Sequence, residues 1–83
     1  MDDVVREVLD NHGRLPVTAS SLGDNQDLFR AGLTSHSSVN VMLALEDAFH
    51  IEFPERMLRK STFESVMAIR TAVSELLSVG AQK

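Results

Sequence analysis

Three stretches of this chain place apolar residues at the spacing of a helical face, and nowhere do apolar and polar residues alternate with the two-residue period of a strand. The stretches are Val4, Val5, Val8, Leu9 and His12; Val39, Met42, Leu43, Leu45 and Phe49; and Val66, Met67, Ile69, Val73, Leu76 and Leu77. That pattern restricts the chain to helices packed on helices. Eighty-three residues suffice for one domain, residues 1–83, with a small core. There is no cysteine to staple it, so disulfides and thiolate metal sites are excluded.

Punctuation divides the helices. The first begins at Asp2 or Asp3, either of which can cap it, and stops at Gly13. Leu15-Pro16-Val17 is extended, because a proline disfavours a helical residue before it. A long loop then runs from about Arg14 to Thr34, with Leu22, Leu28, Phe29 and Leu33 to pin it to the core. Within it, Asp27 caps a short turn through Leu28-Phe29-Arg30, and Gly32 permits the bend that delivers Ser35. The second helix is expected from Ser35 to His50, with Val41 widening its apolar stripe. Pro54 suits the first position of a short third helix, Pro54 to Lys60, with Met57 and Leu58 facing inward. Ser61-Thr62-Phe63-Glu64 reads as a capping box for the last helix, which Gly80 ends. The expected fold is all-α, a four-helix bundle of three longer helices and one short one, with a long loop between helices one and two.

The formal charge is −4, and between Asp24 and Glu55 six acids face a single base, Arg30, before Arg56, Arg59 and Lys60 cluster. An acidic domain repels nucleic acid and anionic membrane and is steered towards basic protein surfaces, an attraction that salt weakens. The bases are expected to pair with the acids or to complement a helix C-terminus. No stretch approaches the roughly 20 apolar residues of a membrane span, and Met1-Asp2-Asp3 lacks the start of a secretion signal. These features predict a cytoplasmic protein that binds neither nucleic acid nor membrane.

Ser35 is the main candidate site. It follows the Gly32-Leu33-Thr34 turn and sits where the loop becomes a helix, beside unpaired N–H groups and the positive end of the helix dipole, a setting that favours a phosphate. Taken alone, a serine there also reads as a plain N-cap, which contributes about 1 kcal/mol. A hydrolase is a poor reading. His36 is adjacent to Ser35 and does not face it on a helix, no G-x-S-x-G elbow exists, and so small a domain has little room for a substrate pocket. Asp24-Asn25-Gln26-Asp27 lacks the spacing and closing glutamate of a calcium loop. His12, His36 and His50 are too separated for a zinc pair, so no metal site is expected.

The run Asp27-Leu28-Phe29, Gly32-Leu33-Thr34-Ser35, Val39, Met42-Leu43-Ala44-Leu45-Glu46, Phe49 and Ile51-Glu52-Phe53-Pro54 resembles the acyl carrier protein family. The likeness extends over the whole chain and is most specific from Leu28 to Pro54. It implies a carrier with no catalytic activity, holding an acyl or aminoacyl group as a thioester on a 4′-phosphopantetheine arm attached to Ser35. A phosphopantetheinyl transferase would install the arm from coenzyme A, and an acyl- or amino acid-activating ligase and downstream transferases would be the further partners of a monomer. The resemblance puts docking on the second helix and its approach, at Leu33, Thr34, His36, Asn40, Glu46 and Asp47. The family's Asp-Ser-Leu triplet appears here as Thr34-Ser35-His36, and Asn40 stands where an acid is frequent. Those departures favour a specialised stand-alone carrier, such as an aminoacyl carrier charged by an amino acid:carrier-protein ligase. Acidity alone also fits an unmodified helical interaction module.

Overall fold

In a computed structural model, which describes the backbone of residues 1–81 and the side chains of residues 1–78, four α-helices and three 3-10 turns carry the chain. The helices are α1 (Asp2–His12), α2 (Leu28–Ala31), α3 (Ser35–Phe49) and α4 (Val66–Ala81), and no strand occurs among the described residues. Helix α1 packs against both α3 and α4. The fold is all-helical, as the apolar periodicity predicts.

The core is aliphatic. Val5 and Leu9 of α1, Val41 and Leu45 of α3, and Val66, Ile69 and Val73 of α4 are fully buried, joined by Leu28 from α2. Phe53 and Phe63 close one end, with ring centroids 5.4 Å apart and planes tilted by 60°. Such tilted pairs stabilise a little beyond the area they bury.

The structure departs from the sequence expectations at several points. Asp2 does not cap α1: Met1 holds the cap position without a side-chain bond, and Asp2 is instead turned towards arginines. Val4 and His12 are exposed. On α3 the phase is rotated. Val41, expected only to widen the stripe, is at the centre of the core, whereas Val39 and Leu43 are 50% and 53% exposed. No α-helix spans Pro54 to Lys60. Pro54 precedes a 3-10 turn at Glu55–Met57, a second turn follows at Lys60–Thr62, and Leu58 points outward while Met57 is buried. The short α-helix is the Leu28–Ala31 turn, capped as expected by Asp27, whose carboxylate accepts from the Phe29 and Arg30 N–H groups. Helix α4 is capped by Ser65 rather than Ser61: the Ser65 hydroxyl accepts from the Ala68 N–H at 3.0 Å. Met67 on α4 is exposed, Leu76 and Leu77 are half-buried, and the helix extends one residue past Gly80.

The long loop is held down by an arginine. Arg6 of α1 donates through Nε to Asp2 at 2.9 Å, through Nη2 to Asp24 at 2.7 Å, and through Nη1 to the carbonyls of Ala19 and Leu22. Arg70 of α4 donates to the other Asp2 oxygen at 2.8 Å and lies 3.8 Å from Asp24. Backbone bonds from Leu28 to Glu64 and from Met67 to Asp24 tie the loop to the start of α4. The Arg6 hydrogen bond holds the Asp2 carboxyl below its ordinary value of 3.8, and the Arg6 and Arg70 charges add to this against a partial cost of burial. A carboxyl with a depressed folded pKa contributes stability in full above its unfolded value and loses it as the pH falls through the folded value. Asp2→Asn is therefore expected to lower stability at neutral pH but to narrow its gap from the parent chain below about pH 3.8. Urea midpoints across that range check this.

Candidate functional site

Gly32 sets the geometry of the site. Its φ of +130° is a backbone conformation that other residues adopt only with strain, and its N–H turns back to the Leu28 and Phe29 carbonyls. A Cβ there would meet the Pro16 ring at 2.7 Å. Gly32→Ala is accordingly expected to cost about 1–3 kcal/mol, measured by thermal unfolding.

The turn leads into α3 through a cap that does not use Ser35. Thr34 is the N-cap: its hydroxyl accepts from the Ser37 N–H at 3.0 Å, while the Thr34 N–H donates to the Ser37 hydroxyl at 2.9 Å. This reciprocal pair explains why Ser37 is only 2% exposed without being an orphaned polar group. Ser35 is the first residue of the helix, exposed, and its hydroxyl has no hydrogen-bond partner among the described residues. The plain N-cap reading of Ser35 is therefore set aside, because Thr34 fills that role. Ser38 is half-buried and its hydroxyl donates to the Ser35 carbonyl at 2.8 Å. Of the three serines, only Ser35 presents an unused oxygen.

Ser35 opens onto a groove of about 510 Å³. Helix α3 contributes Ser35, Ser38, Val39 and Met42, which is the i, i+3, i+4, i+7 face next to the core face of Ser37, Val41 and Leu45. The opposing wall is Leu58, Arg59, Lys60 and Phe63, with Phe29 and Leu33 from the preceding segment. Leu33 and Phe63 are buried, whereas Ser35, Val39, Leu58, Arg59 and Lys60 are exposed, so the groove has an apolar inner end and an open edge. Met57 is buried and not part of the groove.

The other candidates are spread out. Thr34 and Leu33 adjoin Ser35, and His36 is exposed on the first turn of α3 outside the groove. Asn40 is half-buried. Glu46 accepts from the Phe53 N–H at 2.8 Å, so its carboxylate already fastens the turn after α3. Asp47 is exposed and, twelve residues along a helix from Ser35, lies about 18 Å away. The basic cluster does not pair with these acids. Arg56 lies 3.5 Å from Glu75, Arg59 donates to the Arg56 carbonyl at 2.8 and 2.6 Å, and the Lys60 ammonium stands 5.0 Å over the Phe29 ring. Sequence reasoning missed that Arg59 and Lys60 face the Ser35 groove. Both are remote from Ser35 along the chain, and only the tertiary fold brings them to it.

The sequence profile of the family described as "Phosphopantetheine attachment site" matches residues 4–69. An "Aminoacyl carrier protein" of Agrobacterium fabrum (strain C58) is 42% identical over 77 residues, covering 93% of this chain and 93% of that protein. A chain in the crystal structure of an engineered Bradyrhizobium japonicum glycine:[carrier protein] ligase complexed with a carrier protein from Agrobacterium tumefaciens and AMP superposes with a TM-score of 0.87. It is 42% identical, and the match covers 89% of this chain and 99% of that one. An Agrobacterium tumefaciens protein solved in solution matches over 100% of both chains, at 38% identity and a TM-score of 0.77.

Proposed function

The chain belongs to the phosphopantetheine attachment-site family of carrier proteins, and from that premise we propose that Ser35 is the attachment residue of a single carrier domain spanning residues 1–83. The chain is a carrier rather than an enzyme, and its prosthetic group is 4′-phosphopantetheine. The observation that carries the choice of residue is the Ser35 hydroxyl, exposed and without a partner at the first turn of α3. These residues fit the group: the oxygen is accessible, the neighbouring helix N-terminus favours a phosphodiester, and the cap is made by Thr34. When attached, the arm supplies a terminal thiol that holds the cargo as a thioester.

The Ser35 oxygen is the nucleophile towards the β-phosphorus of coenzyme A. The O–P bond forms as the pyrophosphate link to adenosine 3′,5′-bisphosphate breaks, and the hydroxyl proton leaves to a base of the transferase. His36 does not serve as that base within this chain, because neighbouring helical residues diverge. The relative's name and the ligase complex support an aminoacyl cargo and an amino acid-activating ligase as partner. A phosphopantetheinyl transferase and downstream transferases complete the set. Leu33, Thr34, His36, Asn40, Glu46 and Asp47 form the proposed docking region, and the exposed Val39 and Leu43 extend it with an apolar surface. No helix among the described residues is long and apolar enough to cross a membrane. A cytoplasmic monomer is part of the proposal and is supported by the acidic, cysteine-free sequence.

The test is the intact mass of the chain after incubation with coenzyme A, magnesium and a phosphopantetheinyl transferase. A gain of one arm, located on Ser35 by fragmentation, supports the proposal. A chain left unmodified by several transferases overturns it in favour of an unmodified interaction module.

A further inference from the structure

The groove beside Ser35 carries an uneven charge. Its lining contains two cations, Arg59 and Lys60, and no carboxylate. Neither cation has a carboxylate within ion-pair distance among the described residues. The Arg59 guanidinium donates to the Arg56 carbonyl, and the Lys60 ammonium stands 5.0 Å over the Phe29 ring, which places both charges at the exposed edge of the groove. The rest of the lining is apolar at Leu33, Val39, Met42, Leu58 and Phe63, with the hydroxyls of Thr34, Ser35 and Ser38 at the end where the arm is attached.

We propose that Arg59 and Lys60 make this groove selective by charge: it admits an uncharged acyl chain and turns away an aminoacyl group, whose α-ammonium remains in solvent. The inference rests on the arm being attached at Ser35. Two effects act in the same direction. An ammonium entering an apolar groove loses hydration, and the lining offers no carboxylate to replace it. It also meets two like charges. The single negative charge of a phosphodiester on Ser35 leaves two cations against one anion, so the lining stays net positive. An alkyl chain incurs neither cost and gains from leaving water. An aminoacyl carrier with such a groove keeps its cargo outside, where a partner enzyme can take it without first extracting it.

Amide chemical shifts of the isotopically labelled full chain, with the arm on Ser35, test this. The arm bears one of three cargoes of matched length: hexanoyl, 2-hydroxyhexanoyl or norleucyl, which differ at one position by hydrogen, hydroxyl or ammonium. Amide linkages in place of thioesters keep the cargoes intact. Hexanoyl and 2-hydroxyhexanoyl are expected to shift the resonances of Val39, Met42 and Phe63, whereas norleucyl leaves them where the unloaded arm has them. In the double variant Arg59→Glu, Lys60→Glu, checked for folding by circular dichroism, norleucyl is expected to shift the same resonances. Norleucyl shifts equal to those of hexanoyl in the parent chain overturn the charge selection, and so does a groove that hexanoyl leaves unmoved. The three-cargo comparison needs no substitution, so misfolding of the double variant does not remove the test. Failure to gain the arm, seen first by intact mass, overturns the attachment proposal together with this one, and is distinguishable from failure of the groove alone.

Discussion

Ser35→Ala is expected to abolish attachment of the arm completely while changing stability by less than about 0.5 kcal/mol. The separation of the two effects follows from the cap. Thr34 satisfies the N-terminal N–H of Ser37, and the Ser35 hydroxyl bonds to nothing among the described residues, so its removal leaves no buried group unpaired. Thr34→Ala is the contrasting variant. It removes the cap, at about 1 kcal/mol, but leaves the nucleophile. Ser38→Ala removes only a bond to the Ser35 carbonyl and is also expected to keep full modification. Intact mass and thermal unfolding of the three variants read the two quantities independently. An arm found on the Ser35→Ala chain would show that another oxygen, most simply that of Ser38, is the acceptor.

What the sequence revealed depended on how local the signal was. The Asp27 cap, the Gly32 bend and the position of Ser35 at the head of a helix were legible because each is fixed within a few residues. The phase of α3 was not. Val39, Val41, Met42, Leu43 and Leu45 are apolar almost all round, since the helix packs one face on the core and lines a groove with another, and periodicity cannot rank two apolar faces. The segment after Pro54 misled for a different reason. Proline fixes a helix-compatible φ, but Leu58, at φ −84° and ψ 65°, and Arg59, at φ −139° and ψ 160°, leave the helical region and break the segment into two 3-10 turns. The Ser61–Glu64 signature was a match by residue type alone, because Ser61 lies within the Lys60–Thr62 turn and α4 starts only at Val66, where Ser65 caps it. The charge character of the groove was hidden by distance along the chain.

Arg6→Ala is expected to cost about 2–3 kcal/mol, less than the loss of a fully buried ion pair because its carboxylate partners remain partly hydrated. The Arg6 side chain is 17% exposed, while Asp2 and Asp24 are 38% and 45% exposed. One guanidinium serves four acceptors from α1 and the long loop. Without it the Leu22 carbonyl loses its Arg6 donor, although the Ala19 carbonyl retains the Leu22 N–H at 3.1 Å. Against a total stability of about 4–12 kcal/mol for a chain of this length, the change is large. It corresponds to a fall in melting temperature of roughly 10–20 °C. Arg6→Lys is expected to recover only part of it, since an ammonium keeps the charge but lacks the planar fork that reaches both carboxylates and both carbonyls. Hydrogen exchange locates the effect: the amides of Leu22 and Leu28 are expected to lose protection before those of Val41 and Leu45 in the core. If Arg6→Ala unfolds within about 0.5 kcal/mol of the parent chain, the arginine contributes nothing measurable. The loop that delivers Ser35 would then be held by the burial of Ala19, Leu22 and Leu28 and by the backbone bonds that join Leu28 to Glu64 and Met67 to Asp24.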